Sequence, residues 1–210
     1  QPRDTKAEIW TGRRVGTEDA ASGWPVDESQ SMGDLEDIVA AHLGVCKQAY
    51  LIQGANSTLD EMVTSAVDTD SADPTPILDE MRVRKSDREI QLMQESAELA
   101  SAAHIEAMRA TYSGIGEWQL QAIIERHFTS NKSQWSYPSI IGGGDNATIL
   151  HYNENSADIS DGELVLVDAG CEVEGYASDI TRTWPVNGKF NDAQREIYEL
   201  VLKAQIAGIE

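Results

Sequence analysis

Leu164-Val-Leu-Val-Asp168-Ala-Gly-Cys-Glu-Val-Glu-Gly-Tyr-Ala-Ser-Asp179-Ile-Thr181-Arg-Thr is the stretch on which the reading of this chain turns. An apolar run ends in Asp168, a turn region holds Gly170 and Gly175, and a second extended run carries Asp179. This pattern predicts a β-hairpin. If it is symmetric about Val173 and Glu174, Asp168 stands opposite Asp179. Directly opposed side chains have Cβ atoms about 4.5–5.5 Å apart, and a bulge at either glycine would change the register. Asp is a poor strand former, and two carboxylates at this spacing repel unless a cation lies between them. A pair of metal ions about 3.5–4 Å apart suits such a site. The other reading is that one Asp caps a turn and its neighbour pairs with Arg182. Spacing alone leaves both open.

The sequence before the hairpin alternates between two periods. Ser86-Asp87-Arg88-Glu89 has the form of a capping box and opens a long helix, with Ile90, Met93, Ala97, Ala100, His104 and Met108 on one face. His104 falls on that stripe and is expected to be a core residue. A second helix is expected over residues 117–128, with Leu120, Ile123 and Ile124 apolar. Extended segments follow at 139–141 and 148–152, separated by Gly142-Gly143-Gly144. The glycine triplet lacks the Lys-Ser/Thr of a phosphate loop and reads as a tight connection. His151 ends the second extended segment, where it serves either as an acid/base group or as a water-exposed strand end. A final helix is expected over 192–209. Two helices, four strands and a helix predict an antiparallel sheet covered by helices, an α+β arrangement.

Residues before this region mix elements. A short strand is expected at Ile9-Trp10, a helix over 34–42 stopped by Gly44, a strand over 49–52 and a helix over 59–67. This looks like the later part of an α/β domain. Residues 68–76 are polar, carry Pro74 and Pro76, and form the best linker candidate.

Bulk charge narrows the function. Acidic residues number 36 against 16 basic ones, a net charge of −20. Nucleic-acid binding needs Lys and Arg to neutralise phosphates, and an anionic membrane surface repels the same sign. Neither partner is expected. No apolar run reaches the roughly 18–20 residues of a membrane helix, and the first residues show no signal-peptide pattern. Cys46 and Cys171 lie far apart without metal-binding spacing, so a reducing cytoplasm is the expected location.

The motifs together are more specific than any spacing. Gly162-Glu163-Leu-Val-Leu-Val-Asp168-Ala-Gly-Cys-Glu, Gly175-Tyr-Ala-Ser-Asp179-Ile-Thr-Arg-Thr-Trp-Pro-Val-Asn-Gly-Lys-Phe and Ala193-Gln-Arg-Glu-Ile-Tyr strongly resemble the bacterial aminopeptidase P family of pita-bread metallopeptidases. Tyr137-Pro-Ser, Ile149-Leu-His151-Tyr152-Asn-Glu-Asn and the segment from Pro2 to Trp10 are similar to it as well. The resemblance implies an α/β creatinase-type N-terminal domain remnant over 1–73, with its linker. The first half of an α+β pita-bread catalytic domain follows over 74–210. It implies two divalent ions, manganese in most aminopeptidases P. Asp168 and Asp179 match two ligands, and the remaining His and two Glu ligands are expected beyond Glu210. His151 matches a histidine that contacts substrate, and Thr181 a hydroxyl behind the second Asp.

The implied activity is release of the N-terminal residue from peptides with proline in the second position. The alternatives are a prolidase-type Xaa-Pro dipeptidase and a non-catalytic pita-bread module that binds peptides or proteins. The family further implies a homo-oligomer, dimer or tetramer. Residues 1–210 alone, with two of five ligands, are expected to be inactive.

Overall fold

The computed structural model describes residues 3–66 and 71–209. The chain divides into two compact units, residues 1–84 and 85–210. The expected boundary at residue 73 and this division lie on either side of one helix, Thr75–Val83.

The first unit is helical. Its helices are α1 (Thr5–Thr11), α2 (Gly16–Gly23), α3 (Leu35–Leu43), α4 (Ser57–Ala66) and α5 (Thr75–Val83), with a 3₁₀ turn at Met32–Asp34. The strand expected at Ile9-Trp10 is instead part of α1, because the Asp4 carboxylate caps the amides of Lys6 and Ala7 and starts a helix there. The strand expected over 49–52 is reduced to one parallel bridge between Tyr50 and Ala72. Ala49 and Leu51 on either side of it pack with Val63 in a small core. α3 and α4 stand close to their expected places, with Gly44 closing α3. The end expected for α4, Val67, and most of the linker lie outside the described residues. Pro76 sits in the first turn of α5, where its missing N–H costs nothing.

The second unit holds the long helix α6 (Asp87–Ala110), α7 (Glu117–Ser130) and α8 (Asp192–Ile209), with six short strands. The capping box is present: the Ser86 hydroxyl accepts from the Glu89 amide and the Glu89 carboxylate from the Ser86 amide. The buried face of α6 differs from the expected stripe. Leu92, Ser96, Ala100, Ala103, His104 and Ala107 are buried, while Ile90, Met93 and Met108 face solvent. Small side chains let the helix backbone approach the strands closely, and this contact outweighs burial of the larger residues. On α7, Leu120, Ile124 and Phe128 are fully buried.

The strands form two antiparallel sheets of three: β1 (Gln134–Trp135), β4 (Cys171–Val173) and β5 (Tyr176–Ala177) in one, and β2 (Ile140–Gly143), β3 (Leu164–Ala169) and β6 (Ile180–Pro185) in the other. The hairpin quoted above therefore runs through both sheets and bends where it passes between them. Gly170 marks the bend. A Cβ there would lie 1.8 Å from the Ser178 carbonyl oxygen, so only glycine allows the two arms to approach this closely. On β3, Val165, Val167 and Ala169 point into the core with α6 and α7, and Leu164, Leu166 and Asp168 point to the other face.

The hairpin register differs from expectation by two residues. Asp168 pairs with Thr181, and Val173 with Tyr176. Glu174 and Gly175 both have positive φ, 49° and 87°, as a two-residue type I′ turn demands. The centre is thus one residue later than the assumed midpoint. A shift of two keeps every side chain on its own face, so Asp179 still shares a face with Asp168.

Residues 148–152 are not a strand. A 3₁₀ turn occupies Gly144–Thr148, closed by the Thr148 hydroxyl on the Asp145 carbonyl at 2.7 Å. Ile149 and Leu150, whose apolar character suggested a strand, are exposed.

Candidate metal centre

The sheet face turned away from α6 and α7 carries the two aspartates. Asp168 is near the end of β3, and Asp179 stands just before β6 at the bend. Their carboxylates converge on one atom. The Tyr137 hydroxyl lies 2.5 Å from Asp168 Oδ1 and 3.0 Å from Asp179 Oδ1. Tyr137 comes from the segment leading into β2, and Ile140 of that strand pairs with Asp168. A phenol has one proton and can donate to one carboxylate at a time. Burial and donation to the carboxylates push the Tyr137 hydroxyl well above its usual range, so it stays protonated.

The capping and ion-pair reading of these aspartates is not what the structure adopts. Arg182 donates to the Thr181 carbonyl at 2.7 Å, and no Lys or Arg pairs with either Asp among the described residues. Two acceptors facing one shared proton, with no basic partner, make a donor set suited to a hard divalent cation, which prefers oxygen. The set is partial: among the described residues no three His, Cys, Asp or Glu side chains come close enough together to hold a metal ion.

His151 joins this site. A cleft of about 320 Å³ is lined by Tyr137, Pro138, Ile140, His151, Asn153, Asp168 and Asp179. His151 reaches it from the turn after the 3₁₀ segment, exposed to solvent, and not from a strand end. Thr181 is the cross-strand partner of Asp168. His104, on α6, lies beneath the hairpin with Nε2 donating to the Ala169 carbonyl at 3.1 Å. Burial lowers its pKa against the pull of that hydrogen bond, and it is a core residue as expected. Tyr137 was legible only as part of a motif. Its place between the carboxylates needs a contact across 31 residues, which no local pattern encodes.

A class of protein follows from this fold and site. The chain matches the model of metallopeptidase family M24 over residues 91–210, and it belongs to that family. It is 44% identical over 213 residues to an Xaa-Pro aminopeptidase of Haemophilus influenzae, covering 100% of this chain and 50% of that one. It is 39% identical to the Xaa-Pro aminopeptidase of Escherichia coli, over 96% of this chain and 49% of the relative. Among solved structures, a Glu-to-Ala variant of E. coli aminopeptidase P in complex with substrate superposes with a TM-score of 0.90 at 39% identity, over 97% of this chain and 49% of that one. Pseudomonas aeruginosa aminopeptidase PepP gives 0.92 at 37% identity, over 99% and 50%. The chain spans about half the length of the curated relatives it matches, and its fold is that of the matching half of these pita-bread structures.

Proposed function

We propose that the full-length protein carrying this chain is an Xaa-Pro aminopeptidase that removes the N-terminal residue from peptides with proline in the second position. The observation that carries this reading is the convergence of Asp168 and Asp179 on one point of the cleft that His151 also lines. Relatives named Xaa-Pro aminopeptidase support the substrate class. The aspartates would hold two divalent ions together with ligands from the rest of the protein, and manganese suits their oxygen donors. When bound, such ions polarise the scissile carbonyl and activate water.

This chain's own residues do the remaining work. Asp168 and Asp179 keep a negative surface where cations bind, and the Tyr137 hydroxyl holds their orientation. His151 donates a hydrogen bond to the substrate carbonyl oxygen and steadies charge that develops there. Thr181, whose cross-strand partner is Asp168, takes the place of the hydroxyl that the family resemblance sets behind Asp179. The acidic charge disfavours nucleic acid as a partner, and two free cysteines, Cys46 and Cys171, suit a reducing cytoplasm. A homo-oligomer accords with the family resemblance. The intact Asp pair argues against a non-catalytic peptide-binding module.

The test is hydrolysis of an Xaa-Pro-containing peptide by the full-length protein with manganese, beside residues 1–210 alone and the His151→Ala variant. Expected are turnover by the full protein, none by the short chain, and a variant that keeps its metal while losing turnover. Equal loss of metal and activity in His151→Ala would assign that residue to the fold and not to the reaction.

A further inference from the structure

Helix α7 opens with a carboxylate that never reaches water. Glu117 is fully buried, and both of its oxygens are saturated by protein donors. Oε1 accepts from the Gly143 amide at 2.8 Å and the Asn146 side chain at 3.0 Å. Oε2 accepts from the Tyr152 hydroxyl at 2.8 Å and the Ala157 amide at 2.9 Å. Burial opposes its ionisation, yet these donors together hold the carboxyl below its usual range. The Glu117 amide also donates to the Ala157 carbonyl at 2.9 Å.

All four donors belong to one segment, residues 143–157. Gly143 ends β2 and Ala157 begins the return toward β3. Between them the chain carries His151 and Asn153 to the cleft. The tip of this segment has little apolar anchorage, since Ile149 and Leu150 are 54% and 89% exposed. Tyr152, next to His151, is buried through its bond to Glu117 and accepts from the Asn146 side chain at 3.0 Å. Glu117 itself does not line the cleft.

We propose that Glu117 is a positioning residue: by gathering Gly143, Asn146, Tyr152 and Ala157 on one buried carboxylate, it fixes where His151 stands against Asp168 and Asp179. This rests on the reading of His151 as a residue that contacts substrate. A side chain acting only through His151 has no effect once His151 is gone, whereas one that merely stabilises the fold acts independently.

The experiment uses the full-length protein with manganese and an Xaa-Pro peptide, comparing wild type, Glu117→Gln, His151→Ala and the double variant. Glu117→Gln keeps the shape but turns an N–H toward a donor. Its turnover is expected to fall ~100-fold, the cost of an ångström-scale misplacement, with manganese content unchanged. The double variant is expected to be no slower than His151→Ala. Amide exchange at Gly143 and Ala157 is expected to speed up. If Glu117→Gln does not fold, Tyr152→Phe, which removes one of the four donors, replaces it with an expected loss of about tenfold.

Near-normal turnover in Glu117→Gln, or losses that multiply in the double variant, overturns the inference while leaving the role of His151 intact. Normal turnover in His151→Ala removes the role of His151 and this inference with it. If the protein does not cleave Xaa-Pro peptides at all, the reading of His151 falls and this inference with it; unchanged protection at Gly143 and Ala157 in Glu117→Gln refutes the pinning whether or not the peptide is cleaved.

Discussion

The second unit contains two carboxylate sites that solve opposite problems. Glu117 is wholly buried and meets four donors, so its charge is balanced by protein groups alone. Asp168 and Asp179 are more open, carry two charges between them, and meet one phenol. A saturated carboxylate has no capacity left for a ligand and serves structure. An under-supplied pair keeps lone pairs free for a cation. Donor count, more than burial, separates the two roles, because each uncompensated acceptor near the interior costs about 1–3 kcal/mol until something fills it.

The largest expected effect breaks the comparison at the aspartate side. In the full-length protein, Asp179→Asn should lower manganese content and cut peptide turnover by more than ~100-fold, since loss even of the groups behind a ligand costs 10–100-fold. A variant that retains its metal would mean that the pair is not a metal site. On the other side, Glu117→Ala in residues 1–210 should lower stability in urea denaturation by roughly 3 kcal/mol, as the buried Tyr152 hydroxyl and three half-buried donors lose their acceptor. Asp168→Asn in the same metal-free chain should act in the opposite direction, raising stability by about 1 kcal/mol through relief of like-charge repulsion. Equal destabilisation by both substitutions would erase the contrast.

A smaller effect should appear with pH at a third carboxylate. Glu89 accepts from the Tyr176 hydroxyl at 2.6 Å and the Ser86 amide at 2.6 Å, and these bonds pull its pKa to about 2. Its folded value is below its unfolded value, so its contribution is complete above the ordinary carboxylate range and disappears as pH falls from 4.5 toward 2. Amide exchange at Ser86 should rise over that window before the rest of the unit unfolds. Glu89→Gln should remove the pH dependence there and leave the Asp pair untouched. The Glu117 carboxyl, also lowered, loses its contribution on the acid side in the same sense.

Much of this site was legible beforehand because its residues lie in one motif. Asp168 and Asp179 share a hairpin, so strand alternation alone puts them on one face, and a two-residue register error does not disturb that. His151 was also legible, although as the end of a strand. Ile149 and Leu150 have strand-like composition, but Gly144 at φ 52° and the Thr148 hydroxyl impose a 3₁₀ turn. Glu117 gave no signal at all: an acidic residue in the first turn of a helix ordinarily faces solvent and favours the helix dipole. The buried stripe of α6 was misread for a related reason, since periodicity shows which residues are apolar but not how closely a neighbour can approach.

By itself, the sequence determined the three helices and the central hairpin of residues 85–210, the placement of Asp168 and Asp179 on one sheet face, the acidic charge, and membership of a metallopeptidase family through contiguous motifs. These are local properties, set by alternation, capping and composition within about twenty residues. Only the tertiary structure decided that Tyr137 bridges the two carboxylates, that Gly170 bends the hairpin against Ser178, and that Glu117 ties down the segment bearing His151. Each of these joins residues distant in sequence through a hydrogen bond or a close backbone approach. Their formation depends on packing of the whole unit and leaves no periodic trace in the chain.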